Sequence, residues 1–141
     1  MMLEQKRRRD AKERIIEESC RVFAEQGYRH ATHAEICRRA NTNIASINYY
    51  FESKEALYRE VFEHLVRRAD ASYPLDGNLP STATPQERLW TFIHNFVRRA
   101  LDPAEVGNLH CILMAERFAP TGLLDDLLAR WFASNRSQLL P

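Results

Sequence analysis

The side chains best suited to recognising another molecule lie within one short stretch of the chain. They are small or uncharged and can form hydrogen bonds or close contacts: Ala45, Ser46, Asn48 and Tyr49. At helical spacing these side chains share one face, whereas Ile47 and Phe51, four residues apart, share the other. A low, uncharged, hydrogen-bonding face of this kind suits the reading of base edges in a DNA major groove.

Residues capable of catalysis or metal binding are present, but their spacing matches no known motif. The three cysteines, Cys20, Cys37 and Cys111, are odd in number and lack metal-ligand spacing, so we expect reduced, buried thiols and a cytoplasmic protein. Asp125, Asp126 and Glu105 are interpreted as charges at helix starts. No histidine pair has the spacing of a metalloenzyme helix: His30, His33, His64, His94 and His110. We predict no enzyme activity, no metal site and no cofactor.

Two short helices must position the recognition face. Thr32 and Glu35 have the spacing of a reciprocal capping box, which predicts the start of the first helix. Asn41 enters the left-handed region at low cost and can end that helix. Asn43 is a favourable N-cap for a second helix over residues 44–51. The pattern predicts a helix-turn-helix, although a helical hairpin that only packs is an alternative.

From about Arg9 to Arg68 the sequence resembles the DNA-binding domain of the tetracycline-repressor (TetR/AcrR) family of transcriptional regulators. The resemblance rests on spaced positions: Ile15, Phe23, Gly27, Tyr28, Thr32, Ile36, Ala40 and the run from Tyr50 to Tyr58. Asn41 stands where the family usually has Gly, and Asn48 stands where it usually has a phosphate-contacting Tyr. The resemblance implies an all-α fold with a DNA-binding domain of three helices over residues 9–69.

The expected DNA contacts divide into positioning and sequence reading. For phosphates we predict Thr32 and Asn43, at helix N-termini whose amides favour anions, together with Tyr50 and Lys54. For base edges we predict Ser46, Asn48 and Tyr49, with Ile44 and Ala45 touching thymine methyl groups. The role of Lys54 is implied by the family, and a cation in the first turn of a helix opposes the helix dipole.

Composition bounds the remaining possibilities. The chain has 141 residues, 45% hydrophobic and 28% charged, with a net charge of +1, so bulk charge alone does not indicate a nucleic-acid partner. Basic residues crowd residues 1–9, which we interpret as a mobile arm, either a solvated tail or a contact for phosphates or the minor groove. No signal peptide or membrane span is expected, because no apolar run approaches about 18 residues.

Two further helices are predicted on either side of the helix-turn-helix. An amphipathic helix should run from Asp10 to about Gln26 and stop at Gly27, with an inner face of Ile15, Ser19, Val22 and Phe23. Ser53 should cap a helix from Lys54 to about Ala71, with an inner face of Leu57, Val61, Phe62 and Leu65. Residues 73–84 then form either a connection between domains or an ordered loop.

A second, helical domain is predicted over residues 84–141. Helix starts are expected at Thr84, Asp102 and Thr121, the first with a capping box and Pro at the first position. The first helix should bury Leu89, Trp90, Ile93, Phe96, Val97 and Leu101. Aromatic, His and Met side chains could line a ligand pocket, although residues of these types are more often plain core: Trp90, Phe92, His94, Phe96, His110, Met114, Phe118 and Trp131.

Residues 109–128 resemble the ligand-binding domain of CecR-type members of the family, in which an Arg/Glu pair, here Glu116-Arg117, precedes Pro-Thr. Compared with the family, this domain is expected to be incomplete, with the dimer contact either missing or made by Trp131, Phe132, Leu139 and Leu140. The resemblance implies a homodimeric, ligand-responsive repressor of a palindromic double-stranded operator, with an unknown small-molecule effector and no membrane partner. The alternative is a helical adaptor that binds a protein.

Overall fold

Seven α-helices form the fold of residues 1–140. The computed structural model describes residues 1–140, and Pro141, the end of the predicted second domain, lies outside them. The helices are α1 (Met2–His30), α2 (His33–Ala40), α3 (Ile44–Tyr50), α4 (Lys54–Ser72), α5 (Pro85–Leu101), α6 (Gly107–Phe118) and α7 (Asp125–Leu139). The described part contains no strand, so the predicted all-α class is confirmed. No helix within residues 1–140 combines the length and apolar character needed to cross a bilayer.

Helix α1 packs against α2, α4 and α6 and is the centre of the N-terminal part. All four residues of its predicted inner face are buried, and the Ser19 hydroxyl donates to the Ile15 carbonyl at 2.6 Å. The predicted start at Asp10 was wrong, because the helix already begins at Met2. Residues 2–9 are exposed, but Leu, Glu, Gln, Lys and Arg are strong helix formers.

Gly27 interrupts α1 where the sequence predicted its end. The backbone of Gly27 has φ 74° and ψ 166°, a conformation that is essentially restricted to glycine. One further turn follows the break, and the Ala31 amide closes it by donating to the Gly27 carbonyl at 3.1 Å. This break brings the chain round to α2.

Helix α4 forms the other side of the N-terminal core. Its first turn is capped as predicted, with Ser53 Oγ accepting from the Ala56 amide at 3.0 Å. Its predicted inner residues are buried in one cluster with Phe23 and Phe51. The two aromatic rings of Phe23 and Tyr58 meet edge to face, with centroids 4.9 Å apart.

Helix α5 begins with the predicted capping box, but it faces the opposite way from the prediction. Thr84 Oγ1 accepts from the Glu87 amide at 3.2 Å, and the Glu87 carboxylate accepts from the Thr84 amide at 2.7 Å. Six apolar residues predicted to be buried are exposed, and we call them the α5 apolar face: Leu89, Trp90, Ile93, Phe96, Val97 and Leu101. The buried residues of α5 are instead Asn95 and Arg99.

The segment between α4 and α5 explains this orientation. Residues 73–84 fold into turns and bury Leu75, which leaves main-chain carbonyl groups facing α5. The Asn95 side-chain amide donates to the Pro74 carbonyl at 2.7 Å, and Arg99 Nε donates to the Tyr73 carbonyl at 2.8 Å. Buried carbonyl groups need donors, and only the polar side of α5 can supply them. Whether this segment divides two domains remains a prediction.

Two predicted helix starts near the C-terminus were wrong. Asp102 caps a turn rather than a helix, since Asp102 Oδ2 accepts from the Val106 amide at 3.0 Å, and α6 begins only at Gly107. A Cβ at Gly107 would lie 2.1 Å from the Asp102 carbonyl oxygen, so the close turn requires glycine. Thr121 also starts no helix; its hydroxyl and amide donate to the Glu116 carboxylate. Helix α7 begins at Asp125.

Candidate nucleic-acid interface

The helix-turn-helix is built by three capping residues that the sequence indicated: Thr32, Asn41 and Asn43. Thr32 Oγ1 accepts from the Glu35 amide at 3.2 Å and starts α2. Asn41 ends α2 in the left-handed region, with φ 52° and ψ 53°. Asn43 Oδ1 then accepts from the Ser46 amide at 2.9 Å and starts α3. The two helices are therefore held by their own side-chain caps in a helix-turn-helix geometry.

Helix α3 divides sharply into a buried and an exposed face. Ile47 is fully buried, and Phe51, just after the helix, is 2% exposed. The opposite face is open, with Tyr49 69% and Ile44 52% exposed and with Ala45 and Asn48 also exposed. The predicted reading face is thus accessible at Ala45, Asn48 and Tyr49.

Two of the proposed contact residues, Asn43 and Ser46, are hydrogen-bonded to each other. Ser46 is half-buried, and its hydroxyl lies 3.2 Å from Asn43 Oδ1 in a hydrogen bond. Asn43 accepts from both the amide and the hydroxyl of Ser46, so its side-chain oxygen is committed to capping. A phosphate at this helix end would therefore be bound by main-chain amide groups rather than by the Asn43 side chain. Asn48 and Tyr49 are the freer candidates for base contacts.

Lys54, the predicted phosphate contact, is held against an aromatic ring. Its Nζ atom lies 4.4 Å from the ring centroid of Tyr28, a residue that our assignment of DNA contacts did not include. The side chain is half-buried, and this burial lowers the pKa of Lys54 below its usual value. The cation–π contact fixes the position of the ammonium group near the start of α4. Thr32 is exposed, and Tyr50 is half-buried.

The basic pair Arg38-Arg39 in α2 is neutralised by acidic partners. Both guanidinium groups bind the Glu35 carboxylate at 2.8 Å, and Arg39 also binds Glu25 of α1 at 2.8 Å. These hydrogen bonds hold the pKa of Glu35 at about 2, and Arg39 lowers the pKa of Glu25. The second half of the predicted capping box was therefore wrong, because the Glu35 carboxylate binds these arginines and not the Thr32 amide.

A buried carboxylate links the helix-turn-helix part to α6. Glu116 accepts from the Tyr58 hydroxyl of α4 at 2.7 Å and from the Thr121 hydroxyl at 2.8 Å. Burial, followed by this hydrogen bond, raises the pKa of the Tyr58 hydroxyl. Arg59 of α4 adds a second link, since its guanidinium group binds Asp126 in the first turn of α7 at 2.7 and 2.8 Å. Glu116 belongs to the Glu-Arg and Pro-Thr pattern noted in the sequence, but no sequence signal indicated its partner Tyr58.

The eight residues predicted to line a ligand pocket lie in several separate places within residues 1–140. Trp90 and His94 stack on exposed α5, as do Phe92 and Phe96. The remaining four lie elsewhere. Met114 and Phe118 border a groove of about 330 Å³ beside Gly27 and Tyr58. Trp131 borders a second groove of about 330 Å³ with Phe62 and Leu127. His110 is half-buried in α6. Ligand binding by these residues stays a prediction.

A capped supporting helix, a left-handed turn at an asparagine and a second helix with an open polar face define a helix-turn-helix domain. Residues 15–61 match the model of a family described as bacterial regulatory proteins, tetR family. The N-terminal domain of the chain is therefore a DNA-binding domain of the tetR type. The resemblance predicted from the sequence is thereby confirmed.

Three curated proteins are similar to parts of the chain. The biofilm operon icaADBC negative transcriptional regulator IcaR of Staphylococcus epidermidis is 32% identical over 74 residues, which cover 47% of this chain and 40% of that protein. The transcriptional regulator LuxR of Vibrio harveyi is 35% identical over 57 residues, covering 40% and 28%. The probable transcriptional regulator YttP of Bacillus subtilis is 26% identical over 86 residues, covering 61% and 42%. The chain thus spans less than half the length of each.

Proposed function

We propose that the chain is a sequence-specific DNA-binding transcriptional regulator that inserts α3 into the major groove. The observation that carries this proposal is the open face of α3, where Asn48 and Tyr49 are exposed while Ile47 is fully buried. An exposed Asn can form two hydrogen bonds with an adenine in the major groove. The tetR-type DNA-binding domain supports the same assignment.

The finer proposal is a ligand-responsive repressor that binds a palindromic operator as a homodimer. Two recognition helices must lie about one DNA turn apart, roughly 34 to 36 Å, which requires two copies of the chain. The similarity to IcaR, a negative transcriptional regulator, supports repression. An effector bound in residues 84–141 would act by favouring one spacing of the two recognition helices over another.

The sharpest test compares Asn48→Ala with Gln86→Ala, a control that removes an exposed amide from the start of α5. Binding to the protein's own upstream DNA and to a scrambled duplex is measured by fluorescence anisotropy. We expect Asn48→Ala to lose about 1 to 3 kcal/mol on the specific duplex alone, because it removes a base contact. Equal losses on both duplexes, or none, would contradict the assignment of Asn48.

Lys54→Ala tests the phosphate contacts in the same assay. We expect weaker binding to both duplexes and a salt dependence whose slope falls by roughly one, because one phosphate contact is lost. Sedimentation at the same salt concentrations measures the number of subunits. An unchanged slope would remove Lys54 from the interface.

The exposed α5 apolar face favours a second candidate function, a helical adaptor that binds a protein partner. Monomeric soluble proteins rarely leave a contiguous apolar patch of this kind uncovered. The assays described above separate the two functions. A monomer without salt-sensitive DNA binding would support the adaptor, and a dimer with site-selective binding would support the regulator.

A further inference from the structure

Three side chains that are far apart in the sequence meet where α1, α4 and the segment before α6 come together. They are Cys20 of α1, His64 of α4 and Glu105, and their thiol, imidazole and carboxylate ligand atoms all lie within 4.8 Å of one another. Cys20 is fully buried, and the other two are partly buried. This group has no part in the proposed DNA interface.

From this geometry we infer that Cys20, His64 and Glu105 form a binding site for a divalent transition-metal ion of the Zn²⁺ type. Thiolate sulfur, imidazole nitrogen and carboxylate oxygen are the three ligand types that Zn²⁺ prefers in proteins. Three protein ligands leave a fourth tetrahedral position for water or for another carboxylate. Ligation releases the thiol proton of Cys20 to solvent, and the neutral imidazole binds through Nε2.

The distances require only small side-chain movements. With metal–sulfur bonds of about 2.3 Å and metal–nitrogen bonds of about 2.0 to 2.1 Å, tetrahedral ligand atoms lie roughly 3.3 to 3.6 Å apart. His64 Nε2 and Glu105 Oε1 share a hydrogen bond of 2.5 Å, so an ion would move these two atoms apart by about 1 Å. The Cys20 sulfur lies within 4.8 Å of both atoms and would move closer to them by up to roughly 1.5 Å. The site is therefore close to a metal-binding arrangement before any ion enters.

The residues around the site provide a hydrogen-bond donor that orients Glu105 and a route by which an ion could enter from solvent. Arg68 Nε donates to Glu105 Oε2 at 2.7 Å, which orients the carboxylate and leaves Oε1 for the ion. Glu17, one turn before Cys20, borders two open recesses of about 350 and 470 Å³ that also reach His64 and Glu105. Its exposed carboxylate can attract the ion at the entrance.

The test uses the reduced, chelator-treated full chain and Co²⁺ as a spectroscopic substitute for Zn²⁺. We expect one Co²⁺ per chain with a near-ultraviolet thiolate-to-cobalt charge-transfer band that Zn²⁺ removes by competition. Cys20→Ser should abolish the band, and Glu105→Gln and His64→Gln should weaken binding by about tenfold or more. Circular dichroism checks that each variant remains folded.

Matched controls separate this site from the other thiols. Cys37→Ser and Cys111→Ser should keep both the band and the Co²⁺ affinity, whereas Arg68→Gln should keep the band but weaken the affinity, because it removes the residue that orients Glu105. No band in the folded wild-type protein would overturn the proposal. A band that persists in Cys20→Ser and disappears in Cys111→Ser would also overturn it.

The regulatory meaning of the ion rests on the proposed function, whereas its binding does not. An ion held by all three ligands would fix Glu105 to α1 and α4, and so would fix the helix-turn-helix domain relative to α6. We expect Zn²⁺ to change the affinity for the upstream DNA by about fivefold or more in the wild type and not in Glu105→Gln. Equal affinities with and without Zn²⁺ in a protein that shows the cobalt band would overturn the regulatory role alone.

Discussion

Helices α3 and α5 both carry apolar residues on one face and polar residues on the other, yet they are oriented in opposite ways. In α3 the apolar Ile47 is fully buried, and the polar Asn48 faces solvent. In α5 the polar Asn95 and Arg99 are buried, whereas the apolar Ile93 is 52% exposed. Amphipathic spacing alone therefore predicts that a helix has two faces, but not which of them is covered.

The difference arises from what each helix packs against. Helix α3 packs against α2 and contributes to the apolar cluster of α1, α2 and α4, so burial of Ile47 and Phe51 removes hydrocarbon from water. Helix α5 lies over the turns that follow α4, whose Tyr73 and Pro74 carbonyls accept hydrogen bonds from Arg99 and Asn95. The orientation of α5 is therefore set by the energetic cost of leaving these carbonyl groups without hydrogen-bond donors.

The same substitution in the two helices gives the largest expected contrast. Ile47→Ala should lower the free energy of unfolding by about 3 kcal/mol, because it opens a cavity in a fully buried site. Ile93→Ala should change it by no more than about 0.5 kcal/mol, because the side chain is largely hydrated already. Urea unfolding of both variants measures the contrast, and similar losses would mean that α5 packs through its apolar face.

The buried polar contacts of α5 predict the next largest effect. Arg99→Met should cost about 2 kcal/mol, because it removes charged hydrogen bonds to the Tyr73 carbonyl and to Asp70. Arg98→Met is the matched control. Arg98 is exposed and stacks on the Tyr73 ring at 4.7 Å, a contact worth about 0.5 to 1 kcal/mol. A larger loss for Arg98 than for Arg99 in urea unfolding would contradict the buried orientation.

The helix-turn-helix was predictable from sequence because its signals are local. Thr32, Asn41 and Asn43 each act on main-chain groups within a few residues, so their types fix both helix ends. The orientation of α5 was not predictable, since it depends on carbonyl groups ten or more residues away. The proximity of Cys20, His64 and Glu105 was not predictable either, because it also depends on tertiary packing. These residues are more than forty positions apart in the sequence and match no spacing motif.

The exposed α5 apolar face predicts an effect on association rather than on folding. Trp90 is 65% exposed, so Trp90→Ser should leave the free energy of unfolding within about 0.5 kcal/mol of the wild type. The variant should show a lower weight-average mass than the wild type in sedimentation at high concentration, because an exposed apolar patch favours contacts between molecules. A strongly destabilised Trp90→Ser would show that this face is covered within the chain.

The smallest expected effect concerns the polar contacts of α2, which lie at the surface rather than beneath a helix. Hydrogen bonds from Arg38 and Arg39 hold the pKa of Glu35 at about 2, below its usual value of 4.5. A depressed carboxylate pKa means that the ionised form favours the folded state, so this stabilisation is present above pH 4.5 and is lost as the pH falls toward 2. Glu35→Gln should therefore be less stable than the wild type at pH 6, and the difference should shrink by pH 3.

Glu52→Gln, at an exposed position with no ion-pair partner among residues 1–140, serves as the control in urea unfolding at both pH values. A difference for Glu35→Gln that stays constant on acidification would show that its arginine pairs do not stabilise α2, and the support of α3 would then rest on apolar packing alone.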